Sequence, residues 1–349
     1  MNRVHNFRNI ILIIIAMSLI LGLTAFLSRK KAVNIETKTT FSAWITDWDY
    51  KEGMSDFRKL AEGLTQVQVF AAYFNSSDNL IFTEDFRHLR SSMSDDKTVG
   101  GPKVFLTVVN DRINDSGSTV QKDPEILSRL METKETRSRH IDELVKKTEE
   151  GGFDGIEIDY EKIPQESLRG YSDFLKELYS RASNQKLLVR VVLEANNKLD
   201  KSTLPEGPQY VVMLYNLYGT HSGPGPKADY EFIRKTLKKF SEVPGKNNVA
   251  ALACGGFDWY ANGKAVSLTE QQAVKLAKDH NADLNREKNS GALNFTYLDE
   301  KNMKHTVWYA DKETISGWVK ESEKQGCNNI ALWRLGGCSQ DLIDFFIGE

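Results

Sequence analysis

Glu157, Asp159 and Glu161 occupy every second position of the segment GGFDGIEIDYEKIP (residues 151–164), with Ile156, Ile158 and Tyr160 between them. In an extended chain alternate side chains share a face, with repeats about 6.6–7 Å apart. If the segment is a buried strand, the isoleucines pack on one side and the three acids line the other. Acids crowded into a low-dielectric interior cannot all ionise, so at least one pKa must rise. A carboxyl group kept protonated near neutral pH can donate its proton to a leaving oxygen, which is general-acid chemistry. From spacing alone two other readings stay open: a solvated edge strand with one acidic face, and a calcium loop. Against the loop, the glycine and the bidentate glutamate of an EF-hand are missing.

Positioning such a face takes a scaffold, and the body of the chain supplies a repeating one. Eight apolar or alternating runs of strand length follow each other: 41–48, 67–74, 103–110, 155–161, 187–194, 210–216, 248–256 and 329–337. Between most of them lie segments with helical spacing, such as HIDELVKKTEEG (140–151) and YEFIRKTLKKFSEV (230–243). Strand–helix alternation on this scale predicts an α/β fold, a (β/α)8 TIM barrel over residues 40–349. A doubly wound open sheet is the runner-up, but no glycine-rich phosphate loop follows any of the runs. In a barrel the chemistry sits at the carboxyl ends of the strands, which brings Glu161 nearest a substrate, then Asp159, then Glu157. The seventh and eighth runs are separated by a long connection. It holds a helical pattern (269–280) and a hairpin about the turn EKN, and predicts a small α+β insertion at about 257–311.

The chain has 349 residues, 40% hydrophobic and 27% charged, a globular balance. Its amino end differs. Residues 10–27, IILIIIAMSLILGLTAFL, carry no charge and would span ~27 Å as a helix, between Arg3 and Arg8 on one side and Arg29, Lys30 and Lys31 on the other. This predicts an amino-terminal transmembrane anchor at residues 1–31 with a linker at 32–39, holding the large domain outside. A cleaved signal peptide is the rival; Ala25 preceded by Leu23 fits its A-x-A-like site poorly. Beyond residue 31 there remain 41 basic and 48 acidic side chains, a net charge of −7, which argues against nucleic acid as a partner. Cys254, Cys327 and Cys338 form no CxxC, and the six histidines form no paired motif, so no metal or disulfide framework is expected.

FDGIEIDYE resembles the DGxDxDxE signature of glycoside hydrolase family 18, the chitinase-type family, on the fourth strand of its barrel. Two further segments agree in order and spacing. YVVMLYN resembles the sixth-strand MxYD motif through Met213, Tyr215 and Asn216, and ALWRLGG resembles the eighth-strand segment through Trp333. ACGGFDWY and the stretch from VWYAD to ALWRLGG look closest to the bacterial branch that includes spore-cortex-lytic N-acetylglucosaminidases. The resemblance covers about residues 40–349.

That resemblance implies substrate-assisted retaining hydrolysis, an exception to the two-carboxylate scheme of most glycosidases. Glu161 would protonate the glycosidic oxygen while the sugar's own 2-acetamido oxygen attacks the anomeric carbon. Asp159 would hold the acetamido nitrogen, with Glu157 as its deeper partner. Tyr215 would bond the acetamido carbonyl, Trp333 would stack under the ring, and Met213 and Asn216 would complete the substrate site. No cofactor is implied. Four departures bear on efficiency and substrate range: Glu157 for an aspartate, Tyr160 for a tryptophan, Asn216 for an aspartate, and LTVVND without a small-residue SxGG pattern. The expected protein is a monomeric glycosidase whose partners are an N-acetylglucosamine-containing glycan and a membrane. A non-catalytic sugar-binding or scaffold protein on the same barrel is the alternative; Glu161, which such lectins typically lack, favours the enzyme.

Overall fold

Runs such as LVRVVL and VAALA are apolar on both faces, which suits strands covered from both sides. The computed structural model describes residues 38–95, 101–245 and 247–348. Its eight principal strands are β1 (Thr40–Thr46), β2 (Leu64–Phe74), β3 (Lys103–Ile113), β4 (Gly155–Asp159), β5 (Leu188–Leu193), β6 (Gln209–Met213), β7 (Val249–Ala253) and β8 (Asn329–Trp333). Each pairs in parallel with its neighbours in the order β2-β1-β8-β7-β6-β5-β4-β3, and a β2–β3 pairing closes the ring. A closed eight-stranded parallel barrel results, with a filled interior.

The strand pleat sorts side chains into two layers. Ile156 and Ile158 of β4 point outward into a cluster with Leu144 and Phe174 from the helices Lys134–Glu150 and Leu168–Asn184. Both isoleucines are fully buried, each stabilising the fold by about 1.5–3 kcal/mol. The opposite phase fills the barrel with Trp44, Phe70, Val192, Val211, Met213 and Ala251. The helices start on side-chain caps: Thr133 closes a capping box, and Asp229 and Asp311 accept from the backbone N–H of Phe232 and Thr314. Between β5 and β6 the chain makes only a 3-10 turn, Lys201–Thr203; Pro205, Gly207 and Pro208 leave little room there for a helix.

The seventh run divides. β7 stops at Ala253, and Gly255 begins a separate strand, Gly255–Tyr260. Gly255 has φ +63°, and a Cβ there would lie 2.3 Å from the carbonyl oxygen of Leu268, so only glycine makes this corner. The strand joins a five-stranded antiparallel sheet with Ala265–Leu268, Lys304–Ala310, Leu293–Leu298 and Asn285–Arg286. The helix Glu270–Asp279 packs on it through Ala273 and Ala277.

The charge-free run at residues 10–27, with the anchor or leader assigned to it, lies outside the described residues. Among the described residues no helix is long and apolar enough to cross a membrane.

Candidate active site

β4 carries its acids at two depths. The barrel register aligns Thr107 of β3, Glu157 and Arg190 of β5 as neighbours across three strands. Glu157 is fully buried there, and both of its carboxylate oxygens are taken. Trp44 Nε1 donates to Oε1 at 2.6 Å, Thr107 Oγ1 to the same oxygen at 2.9 Å, and Arg190 Nε to Oε2 at 2.8 Å. Arg190 is itself buried, 5.7 Å from the ring centres of both Trp44 and Phe105, and donates further to Gln66 and Gln209. Glu157 thus belongs to a plug of paired charge in the barrel, one step below Asp159.

Asp159, the last residue of β4, is partnered differently. Its Oδ1 is buried, with no hydrogen-bond partner. Burial pushes its pKa well above the ordinary carboxylate range; the charges of Glu161 and Glu157 push the same way, and Lys122 pulls back.

The sequence reading extended β4 to Glu161, and here the structure corrects it: the strand ends at Asp159. The Glu161 N–H is taken by the side chain of Asn110 (2.9 Å to Oδ1), which also donates from Nδ2 to the Glu161 carbonyl at 3.0 Å. This side-chain clamp replaces the next ladder pair. Lys162 then turns the chain away at φ +53°. Glu161 nevertheless sits at the barrel mouth, with 12% of its side chain accessible and Lys122 Nζ at 2.6 Å from Oε2. Its pKa is raised, burial outweighing the pull of Lys122.

Tyr215 and Asn216 follow the end of β6 at Met213. Burial, then the charges of Asp159, Glu161 and Glu157, raise the pKa of the Tyr215 phenol well above its usual value. Its ring lies nearly parallel to Trp333, 6.3 Å between centroids. Trp333 ends β8 and meets Trp44 and Phe70 edge-on at 5.8 and 5.2 Å. Met213 is buried in the barrel interior, and Asn216 is exposed, its Nδ2 3.8 Å from Met213 Sδ. Tyr160 turns outward, its hydroxyl 2.7 Å from His140 Nε2 in the helix layer. Asp154 is structural: it accepts from the Val104 N–H and from Lys103 Nζ, tying β3 to the start of β4.

Sequence reasoning missed Arg190, Trp44, Thr107, Asn110 and Lys122. One signal was there for Arg190, a lone charge in LVRVVL, since a charge in a strand buried on both faces needs a partner. Lys122 gave none. It follows the short strand Thr119–Val120 beyond β3, where a lysine ordinarily points to water.

The family model for Glycosyl hydrolases family 18 matches residues 43–337. Among curated proteins, the chain is 26% identical over 233 residues to an uncharacterized glycosylase, YvbX, of Bacillus subtilis (strain 168), covering 62% of this chain and 67% of that protein. It is 25% identical over 229 residues to the cortical fragment-lytic enzyme of the same organism, covering 60% of this chain and 53% of that enzyme. The chain therefore spans about half the length of that relative. Among solved structures, the spore cortex-lytic enzyme SleL of Bacillus cereus superposes with a TM-score of 0.77 at 17% identity, over 89% of this chain and 74% of that one. A chitinase from Chromobacterium violaceum ATCC 12472 gives a TM-score of 0.77 at 18% identity, over 89% and 98%. At these identities the superpositions show the fold.

Proposed function

The chain belongs to glycosyl hydrolases family 18, and from that premise we propose that it is a retaining glycosidase that cleaves β-1,4-linked N-acetylglucosamine-containing polymers, peptidoglycan or spore cortex ahead of chitin. The observation that carries the reading is the partnerless Oδ1 of Asp159 beside a raised-pKa Glu161 at the mouth of the barrel. Relatives named for cortex-fragment lysis support the choice of polymer.

The charges suggest how a proton is held. Glu157 pairs with Arg190 and Glu161 with Lys122, which leaves Asp159 as the acid without a counterion and the best holder of a proton in the free enzyme. Passing that proton to Glu161 leaves an anionic Asp159 and makes Glu161 the acid. Glu161 then protonates the glycosidic oxygen as the acetamido oxygen attacks the anomeric carbon and the leaving sugar departs. Anionic Asp159 opposes the positive charge of the oxazolinium ring. Tyr215 donates to the acetamido oxygen and Trp333 floors the sugar. Glu161, now a carboxylate, takes a proton from the water that opens the ring, so the anomeric configuration is retained and the acid is restored.

We further propose that the domain works outside the membrane, held by residues 10–27; amino-terminal sequencing of the mature protein distinguishes this from a cleaved leader, which would start near residues 26–33. Mass spectrometry of fragments released from purified peptidoglycan, cortex and chitin tests the reaction. N-acetylglucosamine at the new reducing ends is expected. Binding to these polymers with no release of reducing ends would overturn the reading in favour of a sugar-binding protein.

A further inference from the structure

A cleft of about 370 Å³ lies between the barrel rim and the inserted sheet, bordered by Trp48, Lys227, Thr269, Gln272, Trp333 and Arg334. Lys227 stands on the connection after β6, anchored through its carbonyl, which accepts from the Leu217 N–H at 3.0 Å. Its ammonium has the Phe257 ring at 5.1 Å and, among the described residues, neither a hydrogen-bond acceptor nor an ion-pair partner. Burial lowers its pKa to about 8; Cys254 opposes that shift and Arg334 adds to it. The second cation of the cleft is committed: Arg334 Nη1 donates to Asp49 Oδ2 at 2.7 Å, and the guanidinium lies 5.9 Å from the Trp48 ring centre. Two positive groups therefore face one carboxylate, leaving one positive charge unanswered.

Lys227 is half-buried, and holding an ammonium partly out of water with no acceptor has a cost. Its ammonium lies over an aromatic ring on the wall of a polar cleft, positioned toward the cleft's occupant. The hydroxyl of Thr269 and the amide of Gln272 add neutral groups to the lining. The cleft shares Trp333 with the site described above, so its occupant would be attached to the same glycan.

We propose that the Lys227 cleft is an anion subsite, binding a carboxylate carried by a sugar next to the one stacked on Trp333. Among β-1,4-linked glycans containing N-acetylglucosamine, the acidic ether of N-acetylmuramic acid satisfies it and the neutral homopolymer does not. The inference rests on the glycosidase reading of the site and refines it from a linkage to a substituent.

The test compares wild type, Lys227→Met and Lys227→Arg on two soluble glycans of equal length. One alternates N-acetylglucosamine with N-acetylmuramic acid bearing free carboxylates; the other is an N-acetylglucosamine homo-oligomer. Losing one charge-assisted contact should lower the ratio of kcat/KM for the acidic over the neutral glycan by about tenfold or more in Lys227→Met, mainly through KM, with Lys227→Arg restoring most of it. An unchanged ratio, or a parallel loss on both glycans, overturns the subsite. If wild type hydrolyses neither glycan, the glycosidase reading falls, and calorimetry decides the subsite alone. A preference for the acidic glycan that Lys227→Met abolishes sustains it, and the absence of a preference overturns it.

Discussion

Two carboxylate–cation pairs lie on or beside one strand, and they are built on opposite terms. In the barrel interior Glu157 meets three donors, one of them the buried Arg190. At the mouth Glu161 has Lys122 on one oxygen, and next to it Asp159 keeps a buried oxygen with nothing to accept from. A carboxylate held by three donors is fixed in place and supports its neighbours. A carboxylate left short of partners stays poised to change its protonation. The departure from the family motif at Glu157 fits the first kind: the extra methylene reaches a plug that draws on β1, β3 and β5.

The sharpest way to break this contrast is to remove the mouth acids separately. Glu161→Gln should retain the fold and lose ~10²–10⁴-fold in turnover on the natural polymer, the usual worth of general-acid help. Aryl glycosides, whose leaving groups need little protonation, should recover much of that loss in Glu161→Gln and little of it in Asp159→Asn, which loses the charge opposing the oxazolinium. Equal recovery in both variants would mean the two roles are exchanged or shared.

The plug predicts a stability effect instead. Arg190→Met leaves Glu157 as a buried charge without its cation, and should cost about 3–5 kcal/mol of unfolding free energy, read by urea denaturation. The double variant Arg190→Met with Glu157→Met should be less destabilised than the single one. If Arg190→Met unfolds like wild type and only turnover falls, the plug is part of the chemistry and the contrast fails.

Lys122 is the element that links both sides of the comparison, because it partners an acid without saturating it. Lys122→Met removes the cation that holds down the Glu161 pKa, so that pKa should rise further. The alkaline limb of the kcat/KM profile, where the Asp159–Glu161 pair loses the one proton it shares in the free enzyme, should move to higher pH, because Lys122 pulls both pKa values down. An unmoved or acid-shifted limb would show that another group sets it.

The smallest effect concerns the cost of keeping Asp159 poised. Its folded-state pKa is raised, so the folded chain holds this proton to higher pH than the unfolded chain does. Stability is therefore lost as pH rises from the ordinary carboxylate range through the raised value. Asp159→Asn removes that loss and should unfold at a higher temperature than wild type at pH 8, the difference closing toward pH 4. A uniform offset at both pH values would place the cause in packing.

Much of this protein was legible before any fold was known, because the signals were local. Strand periodicity alone put Ile156 and Ile158 on one face and Glu157 and Asp159 on the other, and the succession of apolar runs implied the closed barrel. It also brought Glu161 to the mouth, since a parallel barrel gathers its carboxyl ends there, whereas Tyr215 and Trp333 were picked out by the family resemblance and not by periodicity. The end of β4 was misjudged because Asn110, 51 positions away from Glu161, competes for the backbone that the pattern assigned to the ladder. What alternation cannot carry is register. Which residue of β5 lies beside Glu157, and which hairpin lysine reaches Glu161, depend on how far each strand slides before the ring closes. Arg190 and Lys122 stand 33 and 39 positions from the acids they hold, and sequence spacing has no period at such distances. The face of a strand is decided by its own residues, and the company kept on that face by closure of the barrel.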